Sequence, residues 1–393
     1  MKDMAERRLL RRLGLKKAAP ETLTIERVGC GRGFRFRAPG GAALSDPETL
    51  ARISALVIPP AWHEVRIAAE ATAHLQAVGR DEAGRLQYLY HPDWEQVRAA
   101  RKVERLRRLG RSLRKLRAAV AADLANSKIA RRSLLAAAAT LVDRAGLRAG
   151  HEAYAGPESG RGAATLLKRH VTVEGAEVKL AFRGKGGRKI EVTIADARLA
   201  RIMAELKQVP GARLFKERDG RVIRPVTAED LNAYLREVSG EDITAKDFRT
   251  FRASARALEL LCVTGPTATA HARRKCIAAV SRQVGNLLSN TPSVARASYI
   301  HPLVLDRFED GNLDVALLRP KWRHGLDAAE TALMRMIEDV DRASGAANGK
   351  PRNGSLLPLN GQTRQIAACP GPAPSRPARV AQRKATALAH DQA

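Results

Sequence analysis

The chain has 393 residues, enough for two ordinary domains and a tail. Its 69 Lys and Arg face 41 Asp and Glu, a formal net charge of +28; an excess of that size calls for a polyanionic partner, because phosphates that are neutralised release their counterions. The cysteines, Cys30, Cys262, Cys276 and Cys369, lie far apart with no CxxC pair, which argues against a zinc site or disulfide framework, and no apolar run approaches the ~20 residues of a membrane span.

The stretch from Asp341 onward holds eight Lys or Arg and two Asp, so it accounts for +6 of the +28, and the body of the chain is itself basic. The opening MKDMAERRLLRRLGLKK lacks the apolar core of a secretory signal, so a soluble, cytoplasmic protein is expected. Residues 1–20 read as a short basic helix or loose arm. In TLTIERVGCGRGFRFRAPGG, apolar and polar residues alternate about a glycine pair, predicting a β-hairpin that turns near Gly29 to Gly33. SDPETLARISALVIPP predicts a helix with Ser45 or Asp46 as N-cap, Pro47 in its first turn and Pro59-Pro60 as its stop. AWHEVRIA, AHLQAVGRD and GRLQYLYHP then read as strands, so residues 21–97 form a small β-rich module. In its last strand Tyr88 and Tyr90 share one face, while Gln87 shares the other with Leu89.

From Trp94 the pattern becomes helical, with a break expected around Gly110. Between Arg98 and Arg117 ten Lys or Arg accompany the single acid Glu104, a run expected to repel itself without an anionic partner and so to lie along a phosphate backbone. HVTVEG, EVKLAFRGKGG and RKIEVTIAD predict an antiparallel three-stranded meander with Lys185 on a hairpin tip. TAEDLNAYLREVSGE is a helix with Thr227 as N-cap. A further helix starts near Ala245, with Lys246 and Arg249 at i, i+3 on one face. HARRKCIAAVSRQVGNLL leads into SNTPSVARASYIHP, centred on Tyr299, and another helix follows over DAAETALMRMIEDVDRA. The expected division is 1–20 arm, 21–97 β-rich domain, 98–318 helical domain, 319–343 C-terminal helix and 344–393 disordered basic tail. The fold class is α+β.

A tyrosine can act as a nucleophile toward phosphorus, but an unperturbed pKa of ~10 leaves it protonated at neutral pH, so cationic helpers are needed. Arg148 in LRAG, Lys185 in FRGKGG and Arg249 in KDFRT are the candidates, with the amide of Asn290 nine residues before the tyrosine. No GxxxxGK[ST] phosphate loop and no clustered acidic metal site occur, so neither nucleotide nor metal cofactor is expected.

Taken together, IPPAWHEV, HLQAVGRDEAGRLQYLYHP, LVDRAGLRAGHEAYA, TLLKRHV, FRGKGG, LNAYLREVSGEDITAKDFRT and NTPSVARASYIHP resemble, in order, the type IB DNA topoisomerases of the bacterial and poxvirus-like branch, over about residues 23–308. The resemblance implies a monomeric, C-shaped clamp around double-stranded DNA: a small β-rich domain and a larger helical catalytic domain. It implies that Tyr299 forms a 3′-phosphotyrosyl bond and frees a 5′-hydroxyl, that Arg148 and Arg249 hold the non-bridging oxygens, and that Lys185 is the general acid. Asn290 stands where viral members carry histidine and is expected to donate to a phosphate oxygen. Gln87, Tyr88, Tyr90, Tyr154 and Lys246 match DNA-contacting positions. A tyrosine recombinase shares this chemistry, but Lys246 stands three before Arg249 where recombinases usually show histidine, and their N-terminal part is helical. A non-catalytic DNA-architectural protein would fit the charge but not the full Arg148, Lys185, Arg249 and Tyr299 set.

Overall fold

The computed structural model describes residues 2–126, 130–152, 155, 160–219, 222–319 and 325–347. The expected tail lies outside them from residue 348 on. The basic arm is a docked helix, α1 (Lys2–Arg12). Leu10 and Leu15 pack with Trp94 and Val97, and Glu6 accepts from Arg101 Nε and Nη2 at 2.7 and 2.6 Å.

Five antiparallel strands follow, β1 (Ile25–Cys30), β2 (Gly33–Arg37), β3 (His63–Ile67), β4 (Leu75–Arg80) and β5 (Leu86–Tyr90), in the spatial order β2-β1-β3-β4-β5. Helix α2 (Pro47–Ala55) lies between β2 and β3 in sequence, and its start is fixed by Asp46, whose Oδ2 accepts from Thr49 N at 2.9 Å. Ile53 of α2 shares an apolar cluster with Ile25, Ile67, Ala77, Phe36 and Leu89, so α2 covers that sheet face. Across the other face the strand register lines up Arg37, Glu26, Arg66, Val78 and Tyr88.

Helix α3 (Trp94–Ala125) runs 32 residues without the break expected at Gly110. That glycine instead admits a close helix contact, since a Cβ there would collide with the Met334 side chain. Seven of the ten cations in the basic run pair with acids of the protein itself, so the run repels itself less than its sequence suggests. Arg98 pairs with Glu95, Arg101 with Glu6, Arg105 with Asp247, Arg107 and Arg108 with Glu104, and Arg111 with Glu338. Arg117 bridges Asp143 and Glu330, each at 2.8 Å.

Helix α4 (Arg131–Ala145) ends on Gly146, whose φ of 63° is the left-handed cap conformation. The meander forms as expected from β6 (Val171–Glu174), β7 (Glu177–Arg183) and β8 (Lys189–Ala195). Then come α5 (Ala197–Gln208), the hairpin β9 (Lys216–Asp219) and β10 (Val222–Pro225), α6 (Ala228–Ser239), α7 (Ala245–Thr264), α8 (Ala270–Leu287), the single turn α9 (Pro292–Val294), α10 (Pro302–Glu309) and α11 (Ala328–Ala347). One apolar core runs from Leu106 to Ile337, with α4 and α7 at its centre: Ala136, Leu141, Ala253 and Leu258 are fully buried. Residues 1–344 form one compact unit. No helix among the described residues is long and apolar enough to cross a membrane.

Candidate active site

Arg249 is the best-buried member of the predicted set, at 3 % exposure. The first turn of α7 is fixed by Asp247, whose Oδ2 accepts from Thr244 N at 2.8 Å, and this turn brings Lys246 and Arg249 to one face. The Arg249 guanidinium sits between two helix C-termini: Nη1 donates to Gly146 O at the end of α4, and Nη2 donates to Leu288 O at the end of α8, at 2.8 Å. Carbonyls at helix ends lack helical donors and carry partial negative charge, so they suit a buried cation. Burial, reinforced by Arg148, lowers the Arg249 pKa, yet a guanidinium stays charged in a protein. Its Nε is buried and has no protein partner.

The end of α8 also delivers Asn290. Ser289 N donates to Asn286 O at 3.1 Å and Asn290 N to Gly285 O at 2.8 Å, the paired bonds of a Schellman cap, with Ser289 at a left-handed φ of 51°. Asn290 is 7 % exposed. Its Oδ1 accepts from Arg148 Nη2 at 2.8 Å, and its Nδ2 donates to Leu288 O at 3.2 Å. Arginine only donates and a carbonyl only accepts, so these two bonds fix which way the amide faces. The expected donor to phosphate therefore turns its oxygen to Arg148, with one of its N–H groups already occupied.

Tyr299 follows α9, where Thr291 Oγ1 accepts from Val294 N at 3.2 Å. Residues Ala295–Tyr299 then widen into a π turn, closed by Ile300 N donating to Ala295 O at 2.9 Å. Such a bulge re-aims a side chain and recurs at functional sites. Ser254 on α7 staples the turn: its Oγ accepts from His301 N at 3.0 Å and shares its one hydrogen between Thr250 O at 2.8 Å and Tyr299 O at 3.2 Å. The His-Pro pair after the tyrosine starts α10, because His301 Nδ1 accepts from Leu303 N at 3.1 Å and Pro302 occupies the first turn. The Arg249 Cζ lies 5.0 Å from the Tyr299 ring centroid. Burial pushes the half-buried Tyr299 hydroxyl up, but the charge and hydrogen bonding of Arg249, then Arg148 and Lys246, outweigh it and hold the pKa below the usual phenol value.

Lys185 sits on the β7–β8 tip, closed by Gly184 N donating to Arg188 O at 2.8 Å, with Gly186 and Gly187 at φ of 73° and 70°. Arg148, Lys185, Lys246, Arg249 and Tyr299 line one open cavity of about 590 Å³, together with Arg161 and His151. Asn290 reaches it through Arg148. Tyr154 lies outside the described residues. Tyr88 and Tyr90, each 40 % exposed, share the sheet face away from α2, with ring centroids 6.3 Å apart. Gln87 is on the opposite face, where its Nε2 donates to Asp81 Oδ2 at 2.8 Å, so it does not join the tyrosines in one surface.

Sequence reading missed Arg161, Ser254 and the arginines beside Tyr88. The alternation in GFRFR could have put Arg35 and Arg37 on one face, but only the pairing register shows that Arg66 lies in line with Tyr88.

A family model described as the eukaryotic DNA topoisomerase I catalytic core matches residues 91–315, more than half the chain, and one described as the bacterial DNA topoisomerase IB N-terminal domain matches residues 33–81. The chain belongs to the type IB DNA topoisomerases. The DNA topoisomerase 1B of Acanthamoeba polyphaga mimivirus is 30 % identical over 267 residues, covering 66 % of this chain and 80 % of the viral one. As a type IB topoisomerase the chain is an isomerase acting on DNA topology, and the matched core includes Arg148, Lys185, Arg249, Asn290 and Tyr299.

Proposed function

We propose that the chain relaxes supercoiled DNA as a monomeric clamp on nucleoid DNA, without ATP or metal, through a 3′-phosphotyrosyl intermediate. The single observation that carries this reading is the Arg249 guanidinium 5.0 Å from the Tyr299 ring inside a cavity that also takes in Arg148, Lys185 and Lys246.

In the forward step the Tyr299 oxygen attacks the scissile phosphorus and loses its proton to solvent. The P–O5′ bond breaks, its electron pair goes to O5′, and Lys185 Nζ supplies that oxygen with a proton. Arg148 and Arg249 face the charge that builds on the non-bridging oxygens, Arg249 with guanidinium hydrogens that its two carbonyl anchors leave over. Asn290 acts behind them by holding Arg148. One phosphodiester replaces another of similar energy, so the reverse attack by the 5′-hydroxyl reseals the strand with no external energy source.

DNA binding is assigned to the Tyr88 and Tyr90 sheet face with Arg66 alongside, and to Lys246 next to the nucleophile; Tyr154 stays a proposed contact. Gln87 would have to leave Asp81 to reach a base. The test is relaxation of a negatively supercoiled plasmid in EDTA without nucleotide. Wild-type activity lost in Tyr299→Phe is the expected result. Recombination between paired specific sites would favour a recombinase instead, and binding without relaxation would leave only an architectural role.

A further inference from the structure

The segment Gly160 to Ala164 lends Arg161 to the cavity lining, and it also joins the two loops that bear Lys185 and Arg148. On one side Arg161 N donates to Arg183 O at 3.1 Å, at the base of the β7–β8 hairpin. On the other, Ala163 N donates to Arg148 O at 2.8 Å and Ala164 N to Ala149 O at 2.7 Å. The glycines mark where the strap touches each loop. A Cβ on Gly160 would run into the backbone of Gly184 and Lys185. A Cβ on Gly162 would stand 2.5 Å from Arg148 O and 2.6 Å from Gly150 N. All of these are backbone atoms, which cannot swing aside as the end of a long side chain can. Gly162 is further pinned by its own N donating to Thr165 Oγ1 at 2.9 Å.

Lys185 needs such a support. Its side chain is exposed, and the left-handed Gly186 and Gly187 beside it offer no side chains to brace it. Proton transfer requires hydrogen-bond reach, and misplacement by about 1 Å can cost ~10²-fold in rate. We infer that Gly160 is a positioning residue for Lys185 and Gly162 one for Arg148, so that a single strap sets the distance between the proton donor and a phosphate clamp. The inference rests on the proposed role of Lys185 as general acid.

The two glycines predict opposite leaving-group behaviour. Single-turnover cleavage is measured on two duplexes, one with the ordinary 5′-oxygen at the scissile bond and one with bridging 5′-sulfur, which departs as a thiolate and needs no proton. Gly160→Ala is expected to slow the oxygen substrate at least tenfold and to recover most of that loss with sulfur, as is expected of Lys185→Ala. Gly162→Ala is expected to slow both substrates alike, as is expected of Arg148→Ala. Equal slowing of the two substrates by Gly160→Ala, or no slowing of either, overturns the inference while Lys185→Ala still shows recovery. Lys185→Ala without recovery overturns the acid assignment, and the inference with it. Amide exchange guards against general unfolding: in Gly160→Ala, Gly184 and Gly187 should exchange faster while Ala163 and Ala164 keep their protection. Unchanged exchange at Gly184 and Gly187 would also overturn it.

Discussion

Arg148 donates through Nη2 to the side-chain oxygen of Asn290 across 2.8 Å, and that oxygen has no hydrogen to offer a phosphate. We propose that the asparagine acts on the reaction chiefly at one remove, by holding Arg148. Asn290→Ala removes one charge-assisted hydrogen bond, worth roughly 1.5–3 kcal/mol where it holds a charged group, so cleavage is expected to slow by about ten- to a hundredfold. Arg249→Ala, which deletes a cation proposed to face the phosphate, should cost more. The Asn290 and Arg148 changes should also be non-additive, with Asn290→Ala adding little in an Arg148→Ala background. Single-turnover rates of these four variants and the wild type check this.

The Tyr299 environment predicts a pH profile. Cations nearby favour the phenolate, so the hydroxyl's pKa lies below the ordinary ~10 and cleavage should rise with pH and level off below that value. Removing one of those cations has the opposite sign. Lys246→Met should move the rising limb to higher pH, measured with saturating DNA and a 5′-sulfur leaving group so that Lys185 titration does not enter. A limb that stays in place would show that Lys246 does not act on the nucleophile.

His301 gives the fold an acid sensitivity. Burial, with Lys102 adding to it, pushes its pKa down to about 4, and its Nε2 has no partner. The folded state therefore resists protonation that the unfolded chain accepts below its ordinary ~6.5, so stability falls as pH drops from there toward 4. Between pH 7 and 5 the loss from this group should be roughly 2 kcal/mol. His301→Asn keeps an acceptor for Leu303 N and should flatten that dependence in urea melts across the same window.

Ser289 holds a left-handed conformation that glycine adopts without steric cost. Ser289→Gly should stabilise the protein by roughly 0.5–1 kcal/mol in denaturant melts. Cleavage should be unchanged, since the Schellman bonds that deliver Asn290 are made by backbone.

Local chemistry made much of this legible from residues alone. The alternation around Tyr88 and Tyr90, the caps at Asp46 and Thr227, the glycine tip under Lys185 and the shared face of Lys246 and Arg249 all depend on neighbours in sequence, and all formed as read. Gly110 did not: it lies mid-helix, and Met334, the neighbour that leaves no room for a side chain there, is far along the chain. The charge run on α3 looks more lopsided in sequence than it is for the same reason: the acids that pair with part of it, Glu6, Asp247, Asp143, Glu330 and Glu338, arrive from four other helices. The donor side of Asn290 was unreadable until Arg148 and Leu288 were seen on either side of it.

The account stands or falls on which oxygen attacks DNA, and mapping the covalent adduct addresses that directly. A nicked duplex that loses its leaving strand traps the protein, and trypsin then releases the peptide 297–307 bounded by Arg296 and Arg307. The prediction is a single adduct on Tyr299, joined to the 3′-phosphate, with a free 5′-hydroxyl on the released strand. An adduct on another residue, linkage to a 5′-phosphate, or a trapped complex that persists in Tyr299→Phe would contradict it.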